Sequence, residues 1–220
     1  MTRPRRFDLI VFDWDGTLFD STALITRCIQ AACADLGTPV PNDRDASYVI
    51  GLGLNEALRH AAPQLPPERY GELGLRYRHH YLANHDKVML FDGTLEMLHG
   101  LKSRNHLIGV ATGKTRRGLD DALQTAQLHE LFDATRTADE TASKPHPMML
   151  LELMDELGVA PERTLMIGDT THDLQLAANA GAASLGVSYG AHEHEAFRAY
   201  STAHVAHSTA ELWAWLEIHA

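Results

Sequence analysis

Asp13-Trp14-Asp15-Gly16-Thr17, directly behind the apolar run Leu9-Ile10-Val11-Phe12, decides how this chain is read. A short apolar run closed by a turn signal reads as a buried strand, here over residues 7–12. Two carboxylates two residues apart at a strand end can serve one site when the chain turns there. One can attack or bind a metal while the other handles a proton. Gly16 lets the backbone bend so that its N–H groups face an anion. Asp-Gly is also ordinary turn chemistry, so the rest of the chain has to decide.

Working outward, Ser21 to Leu36 carries Leu24, Ile25, Cys28, Ile29 and Ala32 at helical spacing, with Ser21 as cap and Gly37 as stop. Residues 42–86 stay helical, interrupted by Gly51-Leu52-Gly53 and by Pro63 to Pro67. No strand is expected between 21 and 86. Behind Phe91-Asp92-Gly93 the texture alternates: helices near 94–103, 115–127, 147–157, 170–180 and 209–217, strands near 107–111, 133–138, 165–167 and 183–187. Such alternation predicts a doubly wound, parallel α/β sheet covered on both faces. The all-helical stretch 21–87 is then a cap module inserted after strand one, and residues 1–20 and 88–220 form the core.

The chain has 220 residues, 45% hydrophobic and 22% charged, which suits a globular protein with a substantial core. No apolar run approaches the ~20 residues that span a bilayer. The basic start Met1-Thr2-Arg3-Pro4-Arg5-Arg6 lacks the long apolar stretch a signal peptide needs, so a cytoplasmic protein without membrane partners is expected. A formal charge of −10 argues against a nucleic-acid surface and leaves room for an anionic small substrate at a locally positive site. Cys28 and Cys33 lie five apart in a helical stretch and read as small buried hydrophobes.

Three further polar signals fall at or just behind strand ends: Thr112-Gly113-Lys114, Ser143-Lys144-Pro145, and Gly168-Asp169-Thr170-Thr171-His172-Asp173. In an open parallel sheet the carboxyl ends of the strands line one crevice where ligands bind. Asp13, Asp15, Thr112, Lys144, Asp169 and Asp173 are therefore expected to converge. Each has a plainer reading. Thr112-Gly113 can be a helix cap with its turn, Lys144 a solvated loop residue, Asp169 a cap, and Asp173 a contributor to the helix dipole. Phosphoryl transfer is the chemistry that needs the whole set. An attacking carboxylate requires a cation against phosphate repulsion, and oxygen ligands such as Asp13 and Asp169 suit Mg²⁺. Thr112, backbone N–H groups and Lys144 supply donors to the transferring group, and Asp15 handles the proton.

With those residues in order, the chain resembles the haloacid dehalogenase superfamily, close to its phosphoglycolate phosphatase-like branch. Asp13 to Ser21, Thr112, Lys144 and Gly168-Asp169 with Asp173 match the four motifs, and segment 21–87 matches the inserted helical cap. The resemblance implies that Asp13 is the nucleophile of an aspartyl-phosphate mechanism and Asp15 the general acid/base. It implies Mg²⁺ held by Asp13, the Asp15 carbonyl and Asp169, with Asp173 ligating through water or orienting Lys144. Gly16, Thr17, Gly113, Gly51 and Asn55 are candidates for substrate contact, the last two from a cap loop. The expected partner is a small phosphorylated metabolite such as 2-phosphoglycolate, a sugar phosphate, a nucleotide or pyrophosphate, and the protein a monomer or weak homodimer.

Alternatives stay open at this level. A phosphomutase or a pyrophosphatase shares fold and motifs. A phospho-receiver binding domain also uses Asp, Thr and Lys at strand ends, but is shorter and has no helical insert. A nucleotide P-loop at Gly113-Lys114-Thr115 would need glycine where Ile108 stands, and a dinucleotide loop at Gly51-Leu52-Gly53 would need one at Glu56. His192, His194, His204 and His207 match no closed metal spacing and read as surface residues of a loop.

Overall fold

Residues Leu9–Phe12 form β1, buried at all four positions. In this computed structural model, which describes residues 5–85 and 88–220, β1 runs parallel to β2 (Leu107–Thr112) on one side and β4 (Thr164–Gly168) on the other. β3 (Ala134–Thr137) lies beyond β2, and β5 (Ala183–Val187) and β6 (Val205–Ala206) lie beyond β4. The six-stranded order is therefore β3-β2-β1-β4-β5-β6. Strands buried on both faces read as unbroken apolar runs, which is the texture of Leu9 to Phe12. The order reverses beside β1, and the crevice past the strand ends there is the usual ligand position.

Alternate residues of the strands feed opposite faces. Ile10, Phe12, Ile108 and Ile167 pack against Met97 and Leu101 of α5 (Thr94–Ser103), Leu119 of α6 (Arg116–Ala126) and Leu212 of α9 (Thr209–His219). Leu9, Val11 and Met166 pack against Met149 and Leu153 of α7 (Met148–Leu157) and Leu176 of α8 (Thr171–Ala180). Each fully buried side chain of this size is worth about 1.5–3 kcal/mol, which fixes β1 at the centre of the sheet.

Between β1 and α5 the chain forms α1 (Thr22–Asp35), α2 (Asp43–Tyr48), α3 (Leu54–Ala61) and α4 (Tyr70–Leu82). These helices enclose a hydrophobic cluster of their own, with Ile25, Ile29, Cys33, Leu58 and Leu73 at its centre. The outgoing and returning chains run side by side: Phe19 bridges Leu90, and Asp20 N–H donates to Met89 O at 2.9 Å. The end of the expected cap segment at 86–87 lies outside the described residues. Among them, no helix is long and apolar enough to cross a membrane.

One expectation is corrected here, and one strand is added. Ser21 does not cap α1. Its φ of −113° and ψ of −12° are helical, whereas a capping residue is extended, and its hydroxyl donates to Asp15 Oδ1 at 2.8 Å. β6 gives no signal in sequence, because two residues between His204 and His207 carry no period.

Candidate active site

The ends of β1, β2 and β4 bring Asp13, Thr112 and Asp169 to one point, and the β3–α7 loop adds Lys144. Lys144 is not a solvated loop residue. It is fully buried, and its Nζ donates to Asp13 Oδ1 and Asp173 Oδ1 at 2.6 Å each. Burial works against its charge, but the two carboxylates outweigh that and push the ammonium's pKa up. Asp169 does not cap α8. Thr170 does, in a reciprocal pair with Asp173, whose Oδ2 accepts from Thr170 N–H at 3.1 Å. That pair fixes Asp173, which in turn fixes Lys144.

One oxygen each from Asp13, Asp169 and Asp173 lies within 4.8 Å of the others, the one group of metal-ligating residues of this kind among the described residues. Asp169 is oriented by Thr17 Oγ1, donating to Oδ1 at 2.8 Å, and by Ala191 N–H, donating to Oδ2 at 2.7 Å. Gly16, with φ +87°, packs so tightly that a Cβ there would overlap the Asp169 carboxylate. Asp13 Oδ2 is buried without a hydrogen-bond partner. Burial, opposed by Lys144, pushes the Asp13 pKa up to about 7. Burial and the neighbouring carboxylates of Asp13 and Asp173 likewise raise that of Asp169.

Asp15 points away from this cluster toward the helical module. Its Oδ2 meets Lys114 Nζ at 3.0 Å, and Lys114 also donates to the Tyr81 hydroxyl of α4 at 3.1 Å. Sequence reasoning named Lys114 within the Thr112-Gly113-Lys114 signal and a nucleotide loop but gave it no role. The signal was its place two residues behind Thr112, whose hydroxyl accepts from Lys114 N–H at 3.2 Å.

Of the residues expected to touch substrate, Gly16 gives its N–H to Phe19 O at 2.8 Å, and the Thr17 hydroxyl is spent on Asp169. Gly113 abuts the Gly51-Leu52 backbone, where a Cβ on Gly113 would overlap both carbonyl oxygens. Gly51 and Gly113 line the cleft between module and sheet, along with Asp13, Asp15 and Thr112. Asn55 does not. Leu54, Ala57 and Leu58 of α3 face inward, and Asn55 sits on the exposed side of the same turn.

The module is seated on the sheet through Tyr48. Its carbonyl accepts from Nε2 of His172 and of His192, both at 2.9 Å, and its ring stacks on His192 at 5.1 Å. His192 is therefore buried, not a surface residue, and its Nδ1 accepts from Thr171 N–H at 3.1 Å. Gly53 N–H adds a bond to Ser143 Oγ at 2.8 Å.

A Rossmann-like sheet with a buried carboxylate cluster and a lysine at its switch point is an arrangement suited to phosphoryl chemistry, and the comparisons give the class. The chain belongs to the haloacid dehalogenase-like hydrolases, whose family model matches residues 10–187. It is 35% identical over 196 residues to the protein named Probable phosphatase IndB of Dickeya dadantii, across 87% of this chain and 85% of that one. It is 32% identical over 225 residues to a 5'-nucleotidase of Pseudomonas aeruginosa, across 97% of each. A haloacid dehalogenase-like hydrolase of Bacteroides fragilis superposes with a TM-score of 0.85 at 28% identity, across 94% of this chain and 99% of that one. The chain is accordingly a phosphatase, a phosphate-ester hydrolase of this family.

Proposed function

We propose that this phosphatase passes the phosphoryl group of a small phosphate monoester to Asp13 and then to water, with Mg²⁺ as cofactor. The state of Asp13 carries the reading: Lys144 holds Oδ1, while Oδ2 is buried and unpartnered. An unsatisfied buried acceptor costs about 1–3 kcal/mol, which an ion or an incoming phosphoryl group offsets. Three carboxylates here face one ammonium group, an all-oxygen excess of negative charge that suits a hard divalent cation. Asp13, Asp169 and the Asp15 carbonyl would hold it, with Asp173 steering Lys144. When bound, it neutralises phosphoryl oxygens and lowers their repulsion of Asp13.

Asp13 Oδ2 attacks phosphorus, and the bond to the ester oxygen breaks. Asp15, carrying the proton it took from water in the preceding turnover, gives it to that oxygen. Asp15 then takes a proton from water, which attacks the phosphorus of the aspartyl-phosphate, freeing phosphate and restoring Asp13. Lys144 and the Thr112 hydroxyl meet charge on the transferring oxygens. The module α1–α4 acts as a cap that closes the cleft against water, and the paired chains at Phe19 and Leu90 are its hinge. We place the protein in the cytoplasm, as a monomer or weak homodimer. Its two cysteines are buried free thiols, as a reducing compartment keeps them. Hydrolysis of acetyl phosphate by the wild type, and its loss in Asp13→Asn protein, tests the reading. Turnover retained in Asp13→Asn protein would overturn it.

A further inference from the structure

The cleft between cap and sheet has a volume of about 910 Å³. That is in the upper range of pockets that enclose drug-sized ligands. Its floor is Asp13, Asp15 and Thr112, and its mouth opens between the end of α4 and the exposed side of α6 at Arg117 and Gln124. The wall above the floor is hydrophobic: half-buried Leu54 of α3 and Tyr77 and Tyr81 of α4 face it, backed by Ile25, Ile29 and Leu58 of the module's own buried cluster. The two tyrosine rings stack at 6.0 Å with 24° between their planes.

The charge pattern sharpens this. A second anionic group on the substrate needs a free cation near the floor. Both lysines there are already paired: Lys144 with Asp13 and Asp173, and Lys114 with Asp15 and with Tyr81, whose ring centre lies 5.0 Å from its Nζ. Arg78 and Arg117, the other lysine or arginine side chains on the cleft among the described residues, are solvent-exposed. Pyrophosphate or 2-phosphoglycolate would fill little of the space. Either would bring a further negative charge beside Asp15 and leave Leu54, Tyr77 and Tyr81 uncovered.

We infer that the leaving group this cleft is built for is a bulky, uncharged, largely apolar alcohol that lies along Leu54 of α3 and the Tyr77–Tyr81 stack. The inference rests on the phosphatase reading and names its substrate class. An apolar body excludes water from the wall and leaves the Lys114 pairing intact. Specificity then comes from the leaving group's contact area, and a homologous series reads it directly.

The test is a series of primary alkyl phosphates, ethyl, butyl and 2-phenylethyl phosphate, run beside pyrophosphate, 2-phosphoglycolate and acetyl phosphate. Leaving-group basicity is nearly constant across the alkyl series, so differences report contact with the wall. The kcat/KM should rise about threefold or more per added methylene, with 2-phenylethyl phosphate about 100-fold above ethyl phosphate and above both pyrophosphate and 2-phosphoglycolate. Dissociation constants for Asp13→Asn protein should fall in the same order. Leu54→Asp should lower the ratio of 2-phenylethyl to ethyl phosphate at least tenfold. A flat alkyl series, or 2-phosphoglycolate or pyrophosphate ahead of it, in an enzyme that hydrolyses acetyl phosphate overturns this inference alone. Failure to hydrolyse any of these esters, and acetyl phosphate as well, overturns the phosphatase reading with it.

Discussion

Lys144 stands before a proline in a loop, and the fold buries it completely between two aspartates. Removing it leaves Asp13 and Asp173 facing each other without a counter-charge. Lys144→Ala should therefore cost on the order of 3–5 kcal/mol in a denaturant titration and lower kcat at least about 10²-fold. Wild-type stability and rate would return Lys144 to an ordinary loop role. Asp13→Asn should keep the fold and lose at least about 10⁴-fold in kcat, read by near-UV circular dichroism beside a phosphate-release assay. Far from the site, His106 is buried with Nδ1 unpartnered, and burial holds its pKa down at about 4. The unfolded chain takes that proton near pH 6.5, so the native state is favoured above that pH and loses the contribution as pH falls toward 4. Replacing His106 with Phe should flatten the Tm between pH 6.5 and 4, removing on the order of 2 kcal/mol of pH dependence. An unchanged Tm profile would show that His106 does not titrate this way. The carboxylates were legible because their strand-end positions were. Lys114, Ser21 and Asn55 were not, because their roles depend on which way a side chain points after the chain has folded.

At the scale of elements, most boundaries follow from periodicity, as in α5, where the sequence expects 94–103 and the structure has Thr94–Ser103. Apolar runs bounded by glycine and by turn residues left little choice of strand or helix for β1, β2 and β4. The seat of the cap was not legible. It is made by Tyr48 on His172 and His192, and by Gly113 under the Gly51-Leu52 loop, pairs far apart in sequence. Gly113 has room for no side chain while the loop is seated. Gly113→Val should leave the melting transition of the sheet in place and lower kcat at least about tenfold by holding the cap away, the scale of a gating defect. Unaltered kcat would show that closure does not need this contact.

At the scale of the whole molecule two hydrophobic units meet across one cleft, with the oxygens proposed to hold the cation on the sheet side and the proposed leaving-group wall on the side of the helical module. The division of labour predicts that EDTA removes activity toward every ester alike, by at least about 10²-fold, and that Mg²⁺ restores it. Activity that survives chelation would remove the metal from the proposal and leave the cap chemistry standing. The claim on which all else depends is that Asp13 itself carries the phosphoryl group. The direct measurement is peptide mass spectrometry of Asp15→Asn protein, mixed with acetyl phosphate and Mg²⁺ and quenched in acid. In that variant the proton carrier is gone, so the intermediate should persist. The account predicts the added mass of one phosphoryl group on the peptide containing Asp13, absent from the Asp13→Asn, Asp15→Asn double variant. Phosphate on another residue, or no phosphopeptide while phosphate is released, would contradict it.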